Sequence, residues 1–192
     1  DIVYDGFEFS TIAQVEPGLY QRTVTLNGLS KSFSMTGWRV GYAAGPMELI
    51  KSMNTIQSQS SSHTSSISQA ASVVALNGPL DFLVQRNAVF KKRRDLEVSM
   101  LNQASGIDCL VPEGAFYVYP NCEGCMNKKT PKGKIIRSDE DFMNYLLDSE
   151  GVAGVHGEAF GLSPYFRLSY ATDENTLQEA CNRNMKACSK LV

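Results

Sequence analysis

Residues Gly28 to Tyr42 read GLSKSFSMTGWRVGY, with a single lysine, Lys31, set among glycine and hydroxyl residues and an arginine, Arg39, eight positions on. A surface lysine needs no such setting, because a flexible ammonium is well solvated almost anywhere. Upstream, Thr23-Val24-Thr25-Leu26 alternates as a half-buried strand does. Downstream, Trp38 to Ala44 reads as a second strand, stopped by Gly45-Pro46. The lysine is therefore expected on a loop between two strands.

Three chemistries use such a lysine: phosphate binding, general base work and nucleophilic amine chemistry. A phosphate-cradling loop places GxxxxGK[ST] before a helix, and the residues ahead of Lys31, Thr25-Leu26-Asn27-Gly28-Leu29-Ser30, lack the first glycine. An amine that captures an aldehyde needs partial burial and small neighbours, which Gly28 and Ser30 supply. Arg39 then acquires a role, since a guanidinium binds phosphate through two parallel hydrogen bonds while Ser30 and Ser32 offer hydroxyls. A phosphorylated aldehyde such as pyridoxal phosphate uses both cations. A lysine and an arginine at this spacing also occur on ordinary surfaces, so the residues alone leave that reading open.

Beyond Pro46, Leu49, Ile50, Met53 and Ile56 recur at helical spacing, and Ile67, Ala70, Ala71 and Val74 do so again before the stop signal Asn77-Gly78-Pro79. A long amphipathic helix follows with Phe82, Leu83, Val89, Phe90, Leu96 and Met100, ending near Ser105-Gly106. Then come a strand at Phe116–Tyr119, a polar loop over 121–134, a helix from Asp139 to about Leu147, and strands at 152–155 and 165–171. The last helix carries Leu177, Ala180, Cys181, Met185 and Cys188 on one face, with Thr172 or Asp173 as its N-cap. This mixture predicts an α/β chain with an α+β tail.

The 192 residues, 43% hydrophobic and 20% charged, suffice for a sizeable core. The net charge of -2 gives no broad footprint for nucleic acid, and the run Lys91-Lys92-Arg93-Arg94 reads as a solvated helix face. No apolar run reaches the roughly 18 residues a membrane span needs, and no signal-peptide pattern opens the chain, so a soluble intracellular protein is expected. Five cysteines, irregularly spaced, fit reduced thiols. Cys122-Glu123-Gly124-Cys125 has the spacing of a metal or redox pair, but it has no second pair, and His63 and His156 stand far off in sequence. It is a weak sign, and no metal is expected. Cys181 and Cys188 read as core thiols.

Gly28-Leu29-Ser30-Lys31 with Gly37-Trp38-Arg39-Val40-Gly41 resembles the cofactor-lysine signature of class I pyridoxal-phosphate aminotransferases, and MTGWRVGYAAGP resembles the bacterial aspartate aminotransferase branch. Pro112 to Tyr117 is similar to that family's entry into the small domain, and Phe160-Gly161 with Phe166 to Ala171 is similar to its C-terminal substrate-binding stretch. The resemblance implies the C-terminal part of the fold type I architecture: the end of the large α/β cofactor domain over residues 1–78 and an α+β small domain over 79–192.

Carried over position by position, the resemblance makes Lys31 the catalytic residue, joined to the aldehyde of pyridoxal 5′-phosphate and then moving a proton between the substrate Cα and the cofactor C4′. It makes Ser30 and Arg39 phosphate ligands and Arg167 the holder of the substrate α-carboxylate. Without it, Arg167 reads as an outward charge on an edge strand. The implied reaction exchanges an amino group between L-aspartate and 2-oxoglutarate by a ping-pong route. Aromatic amino acid or prephenate transamination on the same machinery, or a non-catalytic folded remnant, are the alternatives. A cytoplasmic homodimer is implied, with residues 61–65 at the subunit boundary, and no nucleic-acid or membrane partner.

Two departures qualify the match. Gly28 stands where some members carry a phosphate-binding serine. Asp1-Ile2-Val3-Tyr4 imitates the family's Asp-x-x-Tyr, but the following Asp5-Gly6 aligns Tyr4 with a later family tyrosine. The true motif is then expected upstream of residue 1, and the chain is expected to be a C-terminal half that is inactive alone.

Overall fold

A computed structural model of the chain describes residues 2–192; Asp1, the first residue of the apparent Asp-x-x-Tyr, lies outside them. Two units form, one over Gly6–Val84 and the other over Ile2–Asp5 with Gln85–Val192.

In the first unit, the single turns α1 (Ile12–Val15) and α2 (Pro17–Tyr20) lead into β1 (Thr25–Gly28). The strand starts two residues later than the alternation suggests because Thr23 is held in the preceding turn, its hydroxyl donating to the Leu19 carbonyl at 2.7 Å. After α3 (Leu29–Ser32) and a 3-10 turn over Thr36–Trp38, β2 (Gly41–Ala44) returns antiparallel to β1, with Gly28 opposite Gly41. Then follow α4 (Met47–Ser60) and α5 (Ser66–Asn77), the latter ending at the predicted Gly78-Pro79 stop. Among the described residues, Leu29 alone of this unit's apolar side chains is buried; Met53, Ile56, Ile67 and Val74 all stand exposed.

The second unit holds the core. The helix α6 (Asp81–Leu101) begins in the first unit and continues into this one. Beyond it, β3 (Tyr117–Val118), α7 (Asp139–Glu150), β4 (Val155–His156), β5 (Phe166–Ser169) and α8 (Glu174–Ser189) follow in order. The three strands form an antiparallel sheet in the order β3-β5-β4. Val118, Phe142, Leu146, Phe166, Tyr170 and Leu177 are among the side chains sealed within this unit. Both of its later helices are capped. Ser138 accepts from the Asp141 amide at 3.1 Å and Asp173 from the Thr176 amide at 2.9 Å, bonds worth about 1 kcal/mol each. Asp173 is one of the two N-caps expected for α8.

The basic run on α6 is not simply a solvated face. Arg94 is 2% exposed, its Nη2 lies 2.7 Å from Asp5 Oδ2, its Nη1 donates to the Pro112 carbonyl, and its guanidinium carbon sits 4.8 Å from the Tyr4 ring centre. Lys91 pairs with Asp5 and Lys92 with Glu174. The Lys91 ammonium and the Arg94 guanidinium hold the Asp5 carboxyl below its ordinary range. The apolar pattern of α6 also misplaces its inner face. Phe82 and Val89 are exposed, while Arg94, Glu97, Val98 and Leu101 are buried at helical spacing. All five cysteines are free and buried, Cys181 and Cys188 included.

Among the described residues no group of three or more His, Cys, Asp or Glu side chains is placed to hold a metal ion, and no single helix is long and apolar enough to cross a membrane.

Candidate active site

The structure places the predicted site residues in two groups, one in each unit. The first lies on the loop of residues 29–40, which closes where Gly28 faces Gly41 across the β1–β2 ladder. Leu29, 1% exposed, anchors this loop. Its amide donates to the Val40 carbonyl at 3.4 Å, and its carbonyl accepts from the Phe33 and Met35 amides. Ser30 and Lys31 therefore project from a turn pinned at its base.

Ser30 is half-buried and Lys31 is exposed, whereas the sequence argument asked for partial burial of the amine. The reason is local: α3 is a single turn with one buried side chain beneath it.

Arg39 closes the 3-10 turn with φ +54 and ψ 51, and its Nη1 donates to the Thr36 carbonyl at 2.9 Å. Left-handed backbone costs a non-glycine residue about 1–2 kcal/mol, and such positions persist where the surrounding chain over-determines them. Here the 3-10 turn on one side and the ladder resuming at Gly41 on the other hold Arg39 in place.

Gly28 also has a structural reason. A Cβ there would lie 3.2 Å from the Val40 carbonyl oxygen, tighter than ordinary contact, so the ladder closes most readily around glycine. The serine that some family members carry at this position would crowd that carbonyl. The donor set of the loop, a primary amine, a hydroxyl and a guanidinium, fits a phosphorylated aldehyde.

The second group surrounds Arg167 on β5. This strand is the middle one of its sheet and not an edge, so the reading as an outward edge charge is wrong. The guanidinium is flanked by two rings, its central carbon 4.4 Å from the centre of Tyr117 and 4.5 Å from that of Phe160. Tyr117 pairs with Ser169, two residues along β5 from Arg167 and on the same face. Phe160 ends a 3-10 turn over Gly157–Phe160.

Asp139 fixes that turn from the first residue of α7. Its carboxylate accepts from the Glu158 amide at 2.8 Å and the Ser163 hydroxyl at 2.6 Å. Burial pushes its carboxyl up, but the bonds from Ser163 and the Glu158 amide outweigh this and leave it below its ordinary range. Gly157 permits the turn, since a Cβ there would meet the Leu162 carbonyl at 2.0 Å.

Sequence reasoning placed Arg167 and Phe160 in one stretch but missed Tyr117 and Asp139. The alternation of Phe116-Tyr117-Val118-Tyr119, laid against β5, was the signal for Tyr117. Asp139 left no signal beyond its place in a helix's first turn.

Comparison with known proteins finds relatives along nearly the whole chain. The sequence model of the family described as "Aminotransferase class I and II" matches residues 1–183. A protein named probable aspartate/prephenate aminotransferase, from Rhizobium leguminosarum bv. phaseoli, is 59% identical over 187 residues, covering 97% of this chain and 47% of that protein. An aspartate aminotransferase of Rhizobium meliloti (strain 1021) is 60% identical over 190 residues, covering 99% of this chain and 46% of its own length. The crystal structure of the Rhizobium meliloti aspartate aminotransferase superposes with a TM-score of 0.96 at 60% identity, over all of this chain and 48% of that one. The chain spans about half the length of the curated relatives it matches.

Proposed function

The chain belongs to the class I and II aminotransferase family, and from that premise we propose that it is the C-terminal half of a pyridoxal 5′-phosphate enzyme that moves an amino group between L-aspartate and 2-oxoglutarate. The observation that carries this reading is the loop of residues 29–40, where an amine, a hydroxyl and a guanidinium held in left-handed backbone stand on one pinned turn. The cofactor domain is proposed to end near residue 78 and the small domain to run over 79–192, although the compact units divide at Val84 and Ile2–Asp5 cluster with the second.

When bound, the cofactor supplies an aldehyde for amine capture and a ring that withdraws electrons from the substrate Cα. Lys31 would hold the cofactor's aldehyde carbon through its Nζ, and as a free amine it would be the base for the proton on the substrate Cα. Arg39 would hold the phosphate through its N–H groups, with the Ser30 hydroxyl as a further donor. Arg167 binds the α-carboxylate in the plane of its fork, which the rings of Tyr117 and Phe160 keep from rotating. The group that pairs with the cofactor's ring nitrogen belongs to the upstream half by the family pattern, so the 192-residue chain alone turns over aspartate and 2-oxoglutarate slowly or not at all.

The test uses the full-length protein. It binds pyridoxal phosphate with an imine absorbance that Lys31→Ala abolishes together with transamination. Retention of turnover in Lys31→Ala overturns the reading.

The printed name of the Rhizobium leguminosarum relative supports a second reading, in which prephenate is also an acceptor. A panel of amino donors and oxo acids on the full-length enzyme separates the two. A cytoplasmic homodimer is proposed with either.

A further inference from the structure

Tyr119 stands opposite Arg167 in the sheet. Tyr117 pairs with Ser169 and Val118 with Leu168. The same register continues past the end of β3, where the Phe166 amide donates to the Pro120 carbonyl at 3.0 Å and Asn121 is bridged to Tyr165. Successive side chains of a strand alternate between its faces, so Tyr117, Tyr119, Tyr165 and Arg167 share one. On that face the Tyr119 and Tyr165 rings stack with centres 5.5 Å apart, and the Phe160 ring meets Tyr119 edge-on at 6.2 Å.

The Tyr119 hydroxyl reaches both ends of the turn that carries Phe160. It donates to the Gly157 carbonyl at 3.2 Å, and the Leu162 carbonyl lies 3.4 Å from it. The backbone closes the turn between the same two residues, the Leu162 amide donating to the Gly157 carbonyl at 3.1 Å. Gly157 leaves room for the hydroxyl, since a Cβ there would stand 3.0 Å from it. Asp139 thus holds this turn from α7, through the Glu158 amide and Ser163, and Tyr119 holds it from the sheet.

We infer that Tyr119 is a positioning residue for the binding of substrate α-carboxylates: it fixes the turn so that the Phe160 ring stays against the Arg167 guanidinium. The inference rests on the reading of Arg167 as the carboxylate holder. Phe160 is 49% exposed, so burial alone does not hold its ring, and the turn beneath it must. Tyr119 needs to touch neither substrate nor cofactor in this role, because its effect passes through Phe160. Burial and the Asp139 carboxylate push its phenol above the ordinary range, against the opposing Arg167 charge, so the hydroxyl keeps the proton it donates.

The test compares steady-state kinetics of the full-length enzyme with those of Tyr119→Phe, Phe160→Leu, the double variant and Arg167→Lys. Tyr119→Phe removes a single oxygen and keeps the ring that packs on Phe160 and Tyr165. A hydrogen bond of ordinary strength corresponds to a factor of roughly 2 to 10, so KM for the amino acid rises by that factor while kcat changes less. In the Phe160→Leu background the same substitution leaves KM where Phe160→Leu alone puts it, a coupling that a merely structural role does not produce. Tyr119→Leu, which also removes the ring, raises KM further. The imine absorbance of Tyr119→Phe with pyridoxal phosphate reports that the variant has folded.

An unchanged KM in Tyr119→Phe, where Arg167→Lys raises it, overturns the inference and leaves the reading of Arg167 standing. Additive effects in the double variant overturn it as well, and so does a fall in kcat as large as the rise in KM. An unchanged KM in Arg167→Lys overturns the reading of Arg167 itself, and the role of Tyr119 falls with it.

Discussion

The Arg167 guanidinium carbon stands 4.5 Å from the centre of the Phe160 ring and 4.4 Å from that of Tyr117. The two rings come from separate segments, a strand neighbour and a 3-10 turn, so two independent elements pack against the guanidinium. Such a fork meets a carboxylate with its orientation already fixed, and little side-chain freedom remains to be lost on binding.

Removing one ring should therefore weaken substrate binding more than it slows the chemistry. A cation over an aromatic face is worth about 0.5–2 kcal/mol, so Phe160→Leu in the full-length enzyme should raise KM for the amino acid roughly 2- to 30-fold with a smaller change in kcat. Arg167→Lys should do worse, because a point charge cannot form the paired bonds. Steady-state kinetics check both. An unchanged KM in Phe160→Leu would show that the ring does not position the guanidinium.

Asp139→Asn should loosen the turn that carries Phe160. Hydrogen bonds to a charged group are worth about 1.5–3 kcal/mol, and the variant weakens two of them. The sign with pH follows from a folded-state value depressed below 3.8. This stability is present above that pH and is lost as pH falls through the folded value. The Tm gap between the wild type and Asp139→Asn should then be constant from neutral pH to about pH 5 and close on further acidification. Thermal unfolding across that range measures it, and a gap that persists unchanged into strong acid would contradict the assignment.

How far the sequence carried depended on the distance over which each feature is determined. The Lys31 loop, the Gly78-Pro79 stop and the Asp173 cap are set by neighbours within a few residues, and all three were legible. Arg94 was not, because the partner that justifies its burial, Asp5, is 89 residues away. A charge in a basic run defaults to solvent when no local residue reveals a partner. Tyr117 and Phe160 were visible as aromatics, but their place against Arg167 required the register of β3 on β5 and the turn held by Asp139. Cys125 drew attention through Cys122, yet both thiols are free and buried, and spacing in sequence says nothing of that. The exposed apolar residues of α4 and α5 are a similar case: helical periodicity located the helices but did not show what covers them.

Glu97 supplies the last prediction. It is 2% exposed on the inner face of α6, its Oε2 has no hydrogen-bond partner, and burial raises its carboxyl from 4.5 to about 8. Its charge, with burial as the larger cause, helps push the Cys109 and Cys181 thiols up to about 12. A folded-state value above the unfolded one means that the folded chain binds the extra proton. The associated stability is complete below about pH 4.5 and is lost as pH rises through about 8. Glu97→Gln keeps the shape without the charge. Its Tm should match the wild type near pH 4.5, exceed it by a margin that grows through neutrality, and level off above about pH 8, where the difference amounts to a few kcal/mol. Parallel Tm curves for the two proteins across that range would mean that Glu97 is paired or solvated in solution.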